Sequence, residues 1–390
     1  MLDDADLQLI LADWKAWSKR PLESVPRAVA GHCLLSPNLV TVIQGVRRCG
    51  KSTLLRQLMQ TNQIPEEQAV FINFEDPRLI DRLDAGLLDQ LYRLSTKSHH
   101  GSLTFFLDEI QNVSHWQKWL NTQLEIKSGH RFVVTGSNSQ LLGGELASAL
   151  TGRHLRYELF PSDFEEFCQW VKPGQLEAYI RSGGFPAVLD FPQPEKLLQQ
   201  YFMDIVEKDI RERVSAKSSR PLQAVAKMVF ESVGAELSLR RIAGAVQLSP
   251  ETVSHYLQAC ENAYLIFSCP YFAYSEAKRV RHNRKYYAVD TGLRRAIITR
   301  AGQDLGKDFE NAVYLALRRK TSDISYWKGK GEVDFVVTGT RGVTPIQVSY
   351  GPPLARHEQA LQEFYGQFPH ANEAIVVTPD SFSELATMEI

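Results

Sequence analysis

Lys51, Asp108 and Glu109 are the residues of this chain best suited to chemistry on a phosphate. Lys51 stands in the spacing Gly45-x-x-x-x-Gly50-Lys51-Ser52, within "GVRRCGKST". Glycines there let the backbone curl until consecutive N–H groups face an anion, and the helix expected over "KSTLLRQLMQ" points its positive end at the same place. The pattern predicts that Gly45, Arg48, Cys49, Gly50, Lys51, Ser52 and Thr53 wrap ATP. Lys51 would reach the β and γ phosphates, and the Ser52 hydroxyl would bind Mg²⁺. A chance match in a turn is the plainer alternative. Asp108 and Glu109 end the apolar run "LTFFLDEI". Asp108 is expected to hold Mg²⁺ through water and Glu109 to polarise the attacking water; an acidic pair that only caps a strand would read the same. Asn138, or Ser137 beside it, follows "RFVVTG" and could act as a sensor between that water and the γ-phosphate, or as a plain helix N-cap. Arg153 is expected at the end of a helix over "QLLGGELASAL", on the rim of the sheet. From there an arginine can reach a neighbouring subunit's γ-phosphate, or make an ordinary surface ion pair.

These side chains need a sheet to hold them. The runs "LVTVIQ", "AVFINFED" (69–76), "LTFFLDEI" (103–110), "RFVVTGSNS" (131–139) and "HLRYELF" read as strands that alternate with helices, an α/β arrangement with a parallel sheet. An extra strand between the loop strand and the Asp–Glu strand, with a catalytic glutamate beside the aspartate, describes the P-loop branch that hydrolyses ATP.

"GVRRCGKSTLL", "FINFED", "FFLDEIQNV", "VVTGSNSQLL", "TGR", "SGGFPAV" and "DTGL" together resemble a large bacterial and archaeal family of AAA-type ATPases. Its members join a P-loop core to a C-terminal region long called a domain of unknown function, and the resemblance runs over nearly the whole chain. It implies an ATPase that forms a homo-oligomer, a ring or another assembly.

The expected division is a P-loop ATPase domain over 1–160, a helical lid with a winged helix-turn-helix over 161–300, and a small α/β domain over 301–390. "SAKSSRP" (215–221) reads as an internal boundary or an exposed loop. In "ELSLRRIAGAVQLSPETVSHYLQACENAYLIF" (236–267), Ser238 could cap one short helix, and Ser249-Pro250 marks the start of another. Val253, Leu257, Cys260 and Tyr264 would face the core. The second helix carries Glu251 and Glu261 but no Lys or Arg, and offers a DNA groove only His255 and Gln258. "AKRVRHNRK" differs: Lys278, Arg279, Arg281, Arg284 and Lys285 suit contacts to DNA phosphates without sequence preference. A solvated hairpin, or one that meets an acidic neighbouring subunit, is the alternative.

The tail "GKDFENAVYLAL … ISYWKGKGEVDFVVTG … VTPIQVSY" resembles the restriction-endonuclease-like fold, where an Asp and a Glu-x-Lys share a sheet edge and carboxylates bind Mg²⁺. Glu310, Asp334 and Gln347 could hold one such ion weakly. Where the pattern needs Glu-x-Lys the chain has Gln347-Val348-Ser349, so a module degenerate for cutting and kept for DNA or subunit contact is expected.

Composition bounds the rest. The formal net charge of −1 means that DNA would meet a local patch, not a basic molecule. The five cysteines show no CxxC or metal-ligand spacing and fit reduced thiols. "MLDDADLQLI" lacks the order of a signal peptide, and no apolar run approaches the roughly 18 residues of a membrane span. A cytoplasmic protein with no membrane contact is expected. A second reading stays open, a nucleotide-controlled switch or scaffold whose helix-turn-helix meets protein partners.

Overall fold

A computed structural model describes residues 3–97, 99, 101–142, 150–216, 218–299, 304–352 and 354–388. The chain forms two compact units, Met1–Leu159 and Phe160–Ile390.

The first unit opens with α1 (Asp4–Ser18), started by a reciprocal capping box between Asp3 and Asp6. Then follow β1 (Val40–Gln44), α2 (Lys51–Thr61), β2 (Ala69–Asn73), α3 (Ala85–Lys97), β3 (Thr104–Asp108), α4 (Trp116–Glu125), β4 (Arg131–Gly136) and β5 (His154–Glu158). The five strands are all parallel, in the order β2-β3-β4-β1-β5. Every residue of β1 and β3 is buried, as strands covered by helices on both faces must be. The strand between the loop strand and the Asp–Glu strand in space is β4; β2, which lies between them in sequence, closes the edge. Because all strands run the same way, the residues that follow β1, β3 and β4 emerge at one rim, where a ligand site of an open α/β sheet belongs. The helix expected over 140–150 falls mostly outside the described residues; what is described is a 3₁₀ turn over Ser139–Leu142.

The second unit begins with α5 (Phe164–Trp170), α6 (Leu176–Ser182), α7 (Pro186–Leu189), α8 (Pro194–Asp204) and α9 (Arg220–Glu231). Next come β6 (Glu236–Leu237), α10 (Leu239–Val246), α11 (Pro250–Asn262), β7 (Ile266–Cys269), α12 (Glu276–Arg281), β8 (Arg284–Ala288) and α13 (Thr291–Ile297). The last elements are α14 (Leu305–Arg318), β9 (Ile324–Lys328), β10 (Glu332–Gly339), β11 (Gly342–Val348), α15 (Ala355–Gln367) and β12 (Ile375–Val377). Two sheets result, an antiparallel β6-β8-β7 and a four-stranded β12-β11-β10-β9. Ser238 and Ser249 cap α10 and α11, and Val253, Leu257 and Cys260 are buried as the helical spacing requires.

"SGGFPAV" and "DTGL" meet in this unit. The Asp290 carboxylate accepts hydrogen bonds from the N–H groups of Gly184 and Leu293, each at 2.7 Å. A Cβ on Gly184 would lie 2.0 Å from the Ser162 carbonyl oxygen, and one on Gly292 would lie 2.1 Å from that of Ser182. The two motifs are a junction of touching backbones, which accounts for their glycines.

Candidate phosphate site and a buried lysine

The loop between β1 and α2 takes its shape from two left-handed residues, Arg48 (φ 71°) and Gly50 (φ 100°). Gly45 approaches the backbone so closely that a Cβ there would lie 2.0 Å from the Leu159 carbonyl oxygen. The first N–H groups of α2 have no intrahelical acceptor and face the loop's hollow. Lys51 is buried; its Nζ donates to the carbonyls of Gly45 (3.2 Å) and Val46 (3.4 Å) and lies 3.4 Å from Glu109 Oε1. Cys49 offers the loop its backbone alone, for burial pushes its thiol pKa up. Behind the loop, buried Arg27 donates from Nη1 to the Cys49 carbonyl at 2.9 Å. The Arg27 N–H donates to the Gln57 amide at 3.0 Å, so the segment before β1 braces loop and helix together.

Asp108 is surrounded by donors. Ser52 Oγ reaches its Oδ2 at 2.5 Å, Asn73 Nδ2 the same oxygen at 3.0 Å, and Thr135 Oγ1 its Oδ1. Burial, then the neighbouring Glu109 charge, lifts its pKa to about 6. Burial opposes the charge of Glu109 as well, yet Lys51, the Gln111 hydrogen bond and Arg47 outweigh it and hold this carboxyl below its usual range. Glu109 is itself left-handed (φ 54°), tied by its N–H to Thr135 Oγ1 at 2.9 Å. Ser137 and Asn138 follow β4 at the same rim, both buried.

These groups fit Mg²⁺–ATP. A hydroxyl and a carboxylate oxygen at hydrogen-bond distance are hard oxygen donors of the kind a divalent cation takes. Lys51 rests on loop carbonyls, where phosphate oxygens would compete for it. Sequence reasoning missed Asn73, Thr135, Gln111 and Arg27. Only "FINFED", "FFLDEIQNV" and "VVTGSNS" hinted at the first three, and nothing marked Arg27.

Arg153 lies elsewhere. It precedes β5, at the end of the sheet away from the loop, a strand of five residues or about 16 Å from that rim. Its Nη1 donates to Asn121 Oδ1 (2.8 Å) and Glu125 Oε1 (3.2 Å) on α4. Within one subunit it cannot serve this site.

Residues 37–168 match the AAA domain family, and residues 174–304 and 305–387 match two domains of unknown function, DUF8612 and DUF4143. An uncharacterized protein of Haemophilus influenzae is 32% identical over 340 residues, 82% of this chain and 85% of that protein. Another, of Methanocaldococcus jannaschii, is 32% identical over 359 residues, 85% of this chain and 79% of that one. This chain belongs to their family. It is an AAA-type P-loop protein with two C-terminal domains of unknown function. Among solved structures, AMPPCP-bound DnaA from Aquifex aeolicus is 16% identical at a TM-score of 0.29, covering 63% of this chain and 86% of that one. Cdc6p from Pyrobaculum aerophilum is 12% identical at 0.27, covering 68% and 86%. Likenesses so slight carry nothing about function.

In the second unit of this AAA protein, "AKRVRHNRK" forms most of the short helix α12 and the start of β8, within the connection that joins the antiparallel pair β7 and β8. Lys278, Arg281 and Arg284 are exposed and Arg279 is half-buried, its Nε donating to the Ala273 carbonyl at 2.7 Å. With Pro270, Glu276, Val280 and His282, Arg279 and Arg284 line a hollow of about 230 Å³. Lys285 must be removed from the expected DNA contacts. It is fully buried, the second residue of β8, and is followed there by Tyr286, Tyr287 and Ala288. Its Nζ pairs with Glu332, lies 3.9 Å from Glu310 and sits 5.1 Å from the centre of the Tyr326 ring. No DNA phosphate reaches such a group.

Lys285 therefore stands inside the tail's acidic cluster. Glu310 also accepts from Tyr287 Oη at 2.7 Å. Asp334 lies where β10 gains one residue against β9, a bulge that re-aims its side chain. Gln347 Nε2 and the Val348 N–H donate to Asp334 Oδ2, the latter at 2.8 Å. Burial, then the Glu310 charge, pushes Asp334 up to about 8. Ser349, where the pattern needs a lysine, donates instead to the Pro352 carbonyl at 3.3 Å. Among the described residues, no group of three or more His, Cys, Asp or Glu is placed to hold a metal ion.

Proposed function

We propose that this chain is a Mg²⁺-dependent ATPase that assembles into an oligomer and acts on DNA. The observation that carries the hydrolytic part is the convergence of Lys51, Ser52, Asp108 and Glu109 on one rim, with the Lys51 ammonium 3.4 Å from Glu109. Lys51 leaves the loop carbonyls and Glu109 for the β and γ phosphates, which frees Glu109 to orient and deprotonate water. Ser52 and Asp108 hold the ion, which, when bound, offsets phosphate charge. Asn138 acts as a sensor of the γ-phosphate from the end of β4. No helix among the described residues is long and apolar enough to cross a membrane.

Arg153 would act in trans, from a neighbouring subunit; its ion pair with Glu125 is the observation on the side of an ordinary surface arginine. An inactive Arg153→Ala protein mixed with an inactive Glu109→Gln protein should then regain part of the wild-type rate. No recovery in mixtures shown to co-assemble would remove that role.

The DNA reading rests on Lys278, Arg281 and Arg284, each exposed in the short stretch of α12 and the first residue of β8, and on α10 and α11, which we read as a winged helix. Such cations position a protein on phosphates without reading bases. The ATPase rate should rise several-fold with DNA at low salt. Replacing the three by alanine should abolish the rise and lower the slope of log K against log salt by about 2–3. A rate indifferent to single-stranded, duplex and branched DNA would favour the other reading, a nucleotide-controlled switch acting on protein partners. The absence of Lys and Arg from α11 is the observation on its side.

A further inference from the structure

Gln111 sits in the 3₁₀ turn directly after Glu109. Its Nε2 donates to Glu109 Oε2. Only the amide nitrogen can face a carboxylate, so Oε1 must point to the other side. That Oε1 is buried and has no hydrogen-bond partner. It lies where the end of β4 leaves it space: a Cβ on Gly136 would come within 2.7 Å of it. An unmet buried acceptor costs stability, and a donor that arrives with the substrate would relieve it. At rest both oxygens of Glu109 are engaged, Oε1 by Lys51 at 3.4 Å and Oε2 by Gln111. When Lys51 turns to phosphate, Oε1 is released while Oε2 stays held.

We propose that Gln111 is a positioning residue for hydrolysis: Nε2 fixes the Glu109 carboxylate, and Oε1 accepts the second hydrogen of the attacking water. This rests on the ATPase reading above. The water's first proton passes to Glu109 Oε1, its oxygen forms a bond to the γ-phosphorus, and the bond from that phosphorus to the β–γ bridging oxygen breaks, its electron pair leaving with ADP. A water with both hydrogens accepted has its lone pair aimed, which is what the step requires.

Gln111→Leu should lower kcat roughly 10²-fold and leave ATP affinity within a few-fold of wild type. Affinity for ADP–aluminium fluoride, which imitates the transferring phosphoryl group, should fall by about the same factor as kcat. Gly136→Ala, which crowds Oε1 from the other side, should show the same split. Equal losses of ATP affinity and turnover would mark a merely structural role and overturn the proposal. So would a Gln111→Leu protein at the wild-type rate while Glu109→Gln is inactive, a result that leaves the ATPase reading standing. A wild-type protein that hydrolyses no ATP would remove both.

Discussion

Glu109→Gln is expected to bind ATP with near wild-type affinity and to turn it over about 10²–10⁴-fold more slowly, the usual worth of a positioned base. Lys51→Ala is expected to lose binding itself. The difference follows from where the two side chains stand. Lys51 is the ammonium nearest the loop's hollow, bound there by carbonyls of Gly45 and Val46, and its removal deletes the charge that phosphate oxygens would meet. Glu109 approaches the site only through Lys51, and glutamine keeps its shape and its contact with Gln111 while removing the basicity. Equilibrium binding of a fluorescent ATP analogue and steady-state phosphate release separate the cases. Normal turnover by Glu109→Gln would move the base to another residue; normal turnover by Lys51→Ala would dismiss the site.

Much of this site is legible in the sequence because its determinants are local. A nine-residue loop needs its glycines for backbone reasons, and a parallel sheet delivers "DE" and "TGSN" to the same rim once their strands are recognised. What is not legible depends on contacts between distant segments. Asn73 reaches Asp108 across 35 residues, and Arg27 reaches Cys49 from a stretch with no periodic pattern. The run of cations over 278–285 hides a change of environment within one residue, for Arg284 is exposed and Lys285 is not. A signal existed, since the apolar run "YYAV" follows Lys285 directly, and a lysine drawn into such a strand must find carboxylates. Which carboxylates could not be read, because Glu310 and Glu332 lie 25 and 47 residues further on.

That reassignment yields the second large effect. Lys285→Met is expected to destabilise the second unit by about 3 kcal/mol, the low end for breaking a buried ion pair, since Glu332 keeps a third of its side chain in water. Methionine fills the volume but leaves Glu310 and Asp334 without their cation. Burial already holds the Glu310 pKa up against the pull of Lys285, and Asp334 stands at about 8; the substitution raises both. A carboxyl whose pKa is higher folded than unfolded contributes stability that is complete below its unfolded value. That stability is lost as pH rises through the folded value. The deficit of Lys285→Met should therefore be small near pH 4, grow through neutrality and be largest above about pH 8. Adding Glu310→Gln should recover part of it at neutral pH, because the uncompensated charge is then gone. Urea unfolding across that range measures the whole pattern, and DNA binding supplies the contrast. A lysine that met phosphates would, on substitution, weaken DNA binding at unchanged stability. A lysine that serves as the internal cation of the tail must do the reverse, and then Lys278, Arg281 and Arg284 are left to carry any contact with DNA.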